Sequence, residues 1–301
     1  MLFNREIRNP EVIKLLSTAI AEFREASFKN KMGTIVLFIA ISLFVAVWIL
    51  PILGALFTAL RPLQDLRASG FWSIPGEITL DNFAEAWRLG NLNTYLKNSF
   101  IITIPSLIGT LALSSLVGFA VSQYEFKGNT FVYLLFLSGM LLPFQILLVP
   151  VFRLSNFLGI YNSYFGLIMI HITFQMGFCS FFLSNFMSTI PVQLAEAARI
   201  DGCSEFKIFY KIFLPLTKPA LAALATLQFT WIFNDYIWAL VLIRSDSLKP
   251  VTAGLASLQG QYVTDWGVLV AGALLAAVPT IIVFLALQKY FIKGLTMGMG
   301  K

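Results

Sequence analysis

The sequence predicts an all-α protein that crosses a membrane several times, and two observations support this prediction. Hydrophobic residues make up 58% of the 301 residues, whereas charged residues make up only 12%. Water-soluble domains keep roughly a quarter of their residues charged. Several apolar runs are also longer than the ~20 residues that a helix needs to cross the hydrocarbon core of a bilayer.

Six apolar segments, separated by more polar connections, define the predicted membrane-spanning helices. Their bounds are about 33–57, 97–123, 130–153, 163–187, 219–243 and 267–290. Prolines occur inside several of these segments, and a proline in a span leaves a backbone carbonyl that a neighbouring group must satisfy. We therefore interpret Pro51, Pro105, Pro143 and Pro279 as static kinks that pack against other helices.

The distribution of Lys and Arg predicts the orientation of the chain in the membrane. If the N-terminus faces the cytoplasm, the cytoplasmic segments hold about twice as many of the 21 Lys and Arg residues as the external segments. Cytoplasmic loops usually carry such an excess. We therefore expect both termini, and the segment 188–216 between the fourth and fifth spans, to lie on the cytoplasmic side of the cell's inner membrane.

Residues 1–31 are more polar than residues 32–301, which form the predicted membrane domain. They are charged throughout and lack the apolar centre of a secretory signal. Ile13, Leu16 and Ile20 recur at helical spacing between charged residues. This pattern predicts an amphipathic helix that lies on the cytoplasmic face of the membrane.

The segment 188–216 contains the stretch AEAARIDGCSEFKIFYKIFLP, which begins at Ala195. Its alanine-rich start favours a helix, and the glycine that follows favours the left-handed conformation that commonly ends one. Small side chains let another surface approach the backbone closely, and an acidic group near a helix start offers an ion pair to a basic partner. The residues that we expect to contact such a partner are Glu196, Ala197, Ala198, Asp201 and Gly202.

The defining residues of this stretch resemble the EAA loop of ABC-importer permeases. At the spacing of that motif stand Glu196, Ala197, Ala198, Gly202, Ile212, Leu214 and Pro215. From residue 33 to its end, the chain resembles the carbohydrate-uptake branch of this family, in particular the six-span permeases of maltose-type importers. Supporting motifs are LRPLQD, LDNFAEAW, YLKNSF, MLLPFQILLVPVF, FNDYIWAL and QKYFIKGLTMGMGK. The chain departs from the family at Phe233, where a tryptophan is usual.

This resemblance implies a fold, a function and a set of partners. It implies the type I ABC-importer permease fold, with six transmembrane helices and a cytoplasmic coupling helix, and half of a translocation pathway for a carbohydrate. The implied partners are a second, homologous permease, two cytoplasmic ATPase subunits, an extracytoplasmic sugar-binding protein and membrane lipid, with no nucleic acid. The ATPase subunits are expected to bind ATP and Mg, because this chain has no GxxxxGK[ST] phosphate loop. We accordingly expect no catalytic residue, cofactor or metal ion in this chain.

The fourth and fifth spans hold the residues that we expect to line the pathway. A carboxylate within a span is costly enough to indicate a function. Residues at three- and four-residue steps of the fifth span share a helix face, and their amide, carboxylate and indole groups are those that recognise sugars. The candidate pathway residues are Gln175, Gln228, Trp231, Asn234 and Asp235. The alternative is that Asn234 and Asp235 only bond helices together, and we expect the lone His171 to be a packed core residue.

Two other functional classes compete with this interpretation. A secondary transporter of a small polar solute would need pairs of ionisable residues in its spans and inverted repeats, yet only His171 and Asp235 lie well inside the predicted spans. A membrane enzyme is disfavoured because neither HExxH nor GxSxG occurs. The sequence leaves open which carbohydrate is carried, and which of the two permeases makes the main contacts with it.

Overall fold

The computed structural model describes residues 28–141, 143–258 and 265–296. These residues form helices, turns and no strand, so the prediction of an all-α fold is confirmed. Most of the amphipathic helix predicted within residues 1–31 lies outside the described residues, and so does the glycine-rich end of the chain.

We number the helices in chain order. They are α1 (Phe28–Ala59), α2 (Leu63–Ser69), α3 (Asp81–Leu89), α4 (Leu92–Gln123), α5 (Asn129–Leu141), α6 (Phe144–Phe157), α7 (Tyr164–Met187), α8 (Gln193–Ile200), α9 (Glu205–Leu216), α10 (Lys218–Phe233), α11 (Ile237–Leu242), α12 (Val251–Leu255) and α13 (Trp266–Thr296). Short 3-10 turns are formed by Asp246–Leu248 and Ala256–Leu258. A π-helical turn, Phe209–Phe213, lies within α9.

The first helix, α1, forms a unit of its own as far as Phe57. The 28 residues Met32–Ala59 are long and apolar enough to cross a bilayer. Large hydrophobic side chains along α1, such as those of Phe38, Phe44 and Trp48, are exposed. A span in contact with lipid is expected to have such a surface.

The second unit begins at Thr58 and contains three further described helices, α4, α7 and α13, that are each long and apolar enough to span a bilayer. One face of α4 carries small polar side chains that are completely buried, among them those of Ser106, Thr110 and Ser114. Small residues let membrane helices approach each other closely. Accordingly, α4 packs along most of α7 and also contacts α10 and α12.

The third and fifth predicted spans are broken helices and not continuous ones. The axes of α5 and α6 meet at an angle of 99°. Pro143 directly precedes α6, and helices usually end at or before the residue ahead of a proline. In the fifth span, α10 ends at Phe233 and α11 begins at Ile237. The short polar side chains of Asn234 and Asp235 favour this break, because such residues bond to backbone groups outside helices.

Arg61 is fully buried and organises the connection that contains α2. Its Nε donates to Oδ2 of Asp65 at 2.8 Å, and its Nη1 donates to the carbonyl oxygen of Gly70 at 2.8 Å. Its Nη2 donates to the hydroxyl of Ser69. A buried guanidinium needs such partners, because an unpaired charge is costly to bury. The LRPLQD motif therefore contributes the residues that fix this connection.

Gly118 lets α4 approach α7 closely. A Cβ at this position would lie 2.9 Å from Cβ of Leu183 and 3.1 Å from the backbone nitrogen of Ser184. Because the backbone of α7 does not move aside cheaply, we expect Gly118→Ala to lower the free energy of unfolding by about 1–3 kcal/mol, the usual cost of overpacking. Thermal unfolding of the purified protein measures this change.

The matched control is Gly33→Ala, because a Cβ at Gly33 meets nothing within 4 Å. Alanine also has the higher helix propensity. This variant should therefore be at least as stable as the unchanged protein. Equal melting temperatures for the two variants would contradict the role of Gly118 in the packing of α4 on α7.

Candidate functional site

The segment 188–216 folds as two short helices that meet at a sharp turn. Gly202, between them, has a positive φ of 74°. The backbone N–H of Cys203 donates to the carbonyl oxygen of Ala198 at 2.9 Å. This bond is typical of the Schellman motif, in which a residue in the left-handed conformation ends a helix. The turn at Gly202 therefore sets the direction in which α9 leaves α8.

Helix α8 has one exposed face and one buried face. The predicted contact residues that are exposed are Glu196, Ala197, Asp201 and Gly202. Ala195 is fully buried, and Ala198 is only 8% exposed. These two alanines lie three residues apart and so share a helix face. The structure thus places Ala198 inside the protein and not on the contact surface to which the sequence analysis assigned it.

The buried face of α8 belongs to an apolar cluster at the end of α4, which we call the Phe119 cluster. Its buried members are Phe119, Met187, Ala195, Ala198, Ile208, Phe209 and Phe213. The ring centroid of Phe119 lies 5.3 Å from that of Phe209 and 5.0 Å from that of Phe213. Tilted aromatic pairs at such distances are stabilising beyond the area that they bury. The cluster therefore joins α4, α8 and α9 into one body.

Three polar side chains connect the same helices at the protein surface. Nε of Arg199 donates to Oε1 of Glu205 at 2.7 Å, and Nη2 of Arg199 donates to Oε2 at 3.3 Å. The hydroxyl of Tyr124, which directly follows α4, donates to the same carboxylate. The hydrogen bond from Arg199 is the main reason that the pKa of Glu205 lies below its usual value. Because its members follow no helical period, this network was not predicted from the sequence.

A cavity of about 410 Å³ lies among α5, α6, α7, α10 and α11. This volume falls within the range of ~300–1,000 Å³ that is usual for small-molecule sites. Phenylalanine rings form part of its wall. The polar and indole side chains in the wall are His171, Gln175, Gln228, Trp231, Asp235 and Trp238.

The cavity brings together four of the five candidate pathway residues. Those that line it are Gln175, Gln228, Trp231 and Asp235. Asn234 is exposed and is not part of the wall. Steps of three and four residues run from Gln228 through Trp231 to Asp235, and Asn234 lies off the face that these residues share.

The carboxylate of Asp235 caps the start of α11. Its Oδ1 accepts a hydrogen bond from the backbone N–H of Trp238 at 3.3 Å, and its Oδ2 accepts one from that of Ala239 at 3.1 Å. The first N–H groups of a helix have no partner within the helix, and a side-chain oxygen can satisfy them. Nε2 of His171 lies 3.7 Å from Oδ2 of Asp235, and the hydroxyl of Thr252 donates to the backbone oxygen of Asp235. Asp235 therefore contacts three helices at the cavity wall.

Comparisons with known proteins agree on one family. The family of binding-protein-dependent transport system inner membrane components matches residues 99–297. The arabinooligosaccharides transport system permease AraQ of Halalkalibacterium halodurans is 39% identical over 258 residues, which are 85% of this chain and 91% of that protein. The melibiose/raffinose/stachyose import permease MelC of Bacillus subtilis is 34% identical over 84% of this chain and 91% of its own length.

A solved structure shows the same fold. It is a chain of a bacterial ABC transporter involved in the import of the acidic polysaccharide alginate. The two chains superimpose with a TM-score of 0.79 over 88% of this chain and 99% of that chain, at 21% sequence identity.

The Arg199–Glu205 pair should give a small, pH-dependent stabilisation of α8 on α9. Its side chains are 32% and 46% exposed, and exposed pairs contribute about 0.2–1 kcal/mol. A double-mutant cycle with Arg199→Gln and Glu205→Gln, read from hydrogen exchange of the amides in α8 and α9, measures the coupling energy. Because folding lowers the pKa of Glu205, the coupling should be complete above the unfolded pKa of about 4.3 and be lost as the pH falls through the folded pKa.

The control for this cycle is Glu125→Gln. Glu125 is an exposed carboxylate next to Tyr124, so its substitution should leave hydrogen exchange in α8 and α9 unchanged. A coupling energy of zero near pH 7, or one that grows as the pH falls, would contradict the role of the pair.

Proposed function

Because the chain belongs to the family of binding-protein-dependent transport system inner membrane components, we propose that it is one of two permease subunits of an ATP-driven carbohydrate importer. The observation that carries this proposal is the exposed face of α8, which the Phe119 cluster anchors on the spans. Glu196 lies in the first turn of α8, where the helix dipole favours a negative charge. Gly202 fixes the direction of the helix through its positive φ.

In this proposal each subunit of the importer has a separate task. Two cytoplasmic ATPase subunits bind ATP and Mg, and α8 docks on one of them as the coupling helix. A second, homologous permease supplies the other half of the pathway, and an extracytoplasmic binding protein delivers the sugar. This chain converts the movement of α8 into a rearrangement of its spans, and it holds no nucleotide and catalyses no reaction itself.

The chemistry of the cavity supports a carbohydrate as the transported solute. Amides and carboxylates bond to hydroxyl groups, and indole rings fit the apolar faces of sugar rings. Gln175, Gln228, Trp231 and Asp235 supply these groups in the cavity wall. The names of AraQ and MelC describe them as permeases for oligosaccharides, which supports the same class of solute for this chain.

The contact between His171 and Asp235 favours the alternative function, a secondary transporter of a small polar solute. Ionisable residues inside spans often form proton relays. Both oxygens of Asp235, however, already accept backbone N–H groups of α11, so this carboxylate has a structural task. A secondary transporter also has no ATPase to receive α8. Substitutions in α8 therefore distinguish the two functions.

We propose that α8 and both termini face the cytoplasm, and a single cysteine tests this orientation. Thr296 is the last residue of α13. In a background without Cys179 and Cys203, Thr296→Cys should react with a membrane-impermeant maleimide only after the membrane is opened. Reaction in intact spheroplasts would overturn the orientation.

Glu196→Lys should uncouple the permease from its ATPase subunits. Truncating one partner of a buried interfacial charge pair costs about 2–5 kcal/mol, and charge reversal also places like charges in contact. We expect at least about tenfold weaker copurification of the ATPase subunits and loss of uptake, with normal abundance in the membrane because no span changes. The control is Glu125→Lys, another exposed carboxylate outside α8. Normal uptake by Glu196→Lys with the ATPase still bound would contradict the coupling role.

Gly202→Val tests the same docking through the backbone. A β-branched residue resists the φ of 74°, and forcing it there costs about 1–3 kcal/mol. We expect reduced uptake because α8 tilts relative to α9. Gly202→Asn is the matched control, since asparagine adopts the left-handed conformation more readily, and it should retain most of the uptake. Equal losses in both variants would show that the backbone conformation is not what docking requires.

A further inference from the structure

We propose that a polar pocket at the α8 end of the spans is a second saccharide-binding site, which holds one sugar ring as the solute leaves the importer. This inference rests on the proposed function and adds a site to it. The pocket has a volume of about 250 Å³ and lies among α4, α5 and α7. We call it the Asn185 pocket.

Hydroxyl and amide groups form most of the lining of the Asn185 pocket. Seven of its eight lining residues carry such a group, none of the eight is charged, and only Val121 has no polar side-chain atom. The polar groups come from all three helices, for example Ser122 from α4, Asn129 from α5 and Ser184 from α7. A lining of this kind matches a ligand that is itself covered with hydroxyl groups.

Several of these groups keep hydrogen-bonding capacity for a ligand. Asn129 and Asn185 each donate through Nδ2 to a backbone carbonyl oxygen, which leaves their Oδ1 atoms as acceptors. The hydroxyl of Tyr133 accepts a hydrogen bond from Asn185 at 3.5 Å and can donate one to a ligand, and the exposed Thr130 adds a second hydroxyl. A sugar hydroxyl both donates and accepts, so it can use both kinds of group.

The ring of Tyr133 gives the pocket a flat apolar surface. It packs against the ring of Phe181 with centroids 5.7 Å apart. An aromatic ring fits the apolar face of a sugar while polar groups bond to the hydroxyls at the edge of the sugar ring. Because the pocket is slightly smaller than the ~300–1,000 Å³ that is usual for small-molecule sites, it suits one sugar ring and not a whole oligosaccharide.

Two helices connect the Asn185 pocket with the larger cavity that Asp235 lines. Helix α5 contributes Met140 to the larger cavity and Tyr133 to the pocket, and α7 contributes Phe178 to the larger cavity and Asn185 to the pocket. Phe178 and Asn185 are seven residues apart, so they lie on one face of α7 and about 10 Å apart along its axis. A solute that leaves the larger cavity along α5 and α7 therefore meets the pocket.

The pocket lies where a transported sugar must be released. Between the larger cavity and the pocket, α5 approaches α7 closely, because a Cβ at Gly177 would lie 3.0 Å from the carbonyl oxygen of Phe136. The two spaces are therefore distinct binding sites. Ser188, which lines the pocket, begins the segment that contains α8. In the proposed orientation this end of the spans faces the cytoplasm.

The test is whether a sugar protects a cysteine in the pocket from alkylation by N-ethylmaleimide. In a background without Cys179 and Cys203, Ser188→Cys places a thiol among the lining residues. Thr189→Cys is the matched control, because Thr189 is exposed but does not line the pocket. The protein is the complete complex of both permeases and the ATPase subunits in phosphatidylcholine nanodiscs, without a binding protein. The probes are maltose, melibiose and raffinose.

We expect at least one sugar that the importer takes up to slow the alkylation of Ser188→Cys. At about ten times the dissociation constant, roughly one site in ten is free, so the rate should fall about tenfold. Thr189→Cys should react at the same rate with and without sugar. If no transported sugar slows the reaction of Ser188→Cys, the inference is overturned and the proposed function still stands.

Substitutions that each remove one group locate the binding in the pocket. Tyr133→Phe and Thr130→Val each remove one hydroxyl and should weaken the binding that protects Ser188→Cys about two- to tenfold, the usual contribution of one hydrogen bond. Tyr210→Phe is the matched control, because Tyr210 is exposed and lies outside the pocket. Trp231→Ala changes only the larger cavity and should not alter this protection. Equal effects of Tyr133→Phe and Trp231→Ala, or no effect of Tyr133→Phe, would overturn the inference.

A lipid headgroup can also carry hydroxyls, so the same labelling is repeated in nanodiscs that contain phosphatidylglycerol. Without sugar, this lipid should leave the reaction rate of Ser188→Cys unchanged. Protection by phosphatidylglycerol alone would assign the pocket to lipid and overturn the inference. If the complete importer with its binding protein takes up none of the three sugars, the proposed function is overturned, and this inference with it.

Discussion

The packing of Phe119 against Phe209 and Phe213 is the constraint on which the other functional features depend. It holds the exposed face of α8 at the end of α4, and α4 in turn packs along α7. Because α7 contributes His171 and Gln175 to the cavity, contiguous packed side chains connect α8 with the cavity wall. Packed cores respond to displacements as units, since they have few voids and low compressibility. The Arg199–Glu205–Tyr124 network supports this connection at the surface but does not replace it.

A second constraint is that polar groups within a membrane must be satisfied internally. The break between α10 and α11 frees N–H groups at the start of α11, and the carboxylate of Asp235 accepts two of them. These two hydrogen bonds therefore lower both the free-energy cost of placing a carboxylate in a span and the cost of leaving the N–H groups of α11 without a helical partner. The same arrangement places Asp235 in the cavity wall beside Gln228. Structural and functional interpretations of Asp235 are thus compatible, because capping leaves acceptor sites on its oxygens.

The sequence predicts those features that depend on local patterns. Long apolar runs predict the continuous helices, and the glycine after AEAARID predicts the turn at Gly202, because each needs only neighbouring residues. Features that depend on contacts between distant residues were not predicted: the inward position of Ala198 and the Tyr124–Glu205 hydrogen bond. The break in the fifth span was only partly predictable. Asn234 and Asp235 favour a break, but the apolar residues on both sides of them are typical of a continuous span. Asn234 was included among the pathway residues as the neighbour of Asp235, and the structure does not place it in the cavity wall.

The most direct test of the connection between α8 and the spans is to lock α4 to α9 and measure transport. Cysteines in place of Tyr124 and Glu205, in a background without Cys179 and Cys203, can be joined by a short, reducible bifunctional maleimide in the reconstituted importer. If α4, α8 and α9 move as one body, uptake should be at least as fast after cross-linking as before, because the link replaces the lost hydrogen bond. Loss of uptake on cross-linking, with recovery on reduction, would show that α9 moves relative to α4 during transport and would contradict this mechanism.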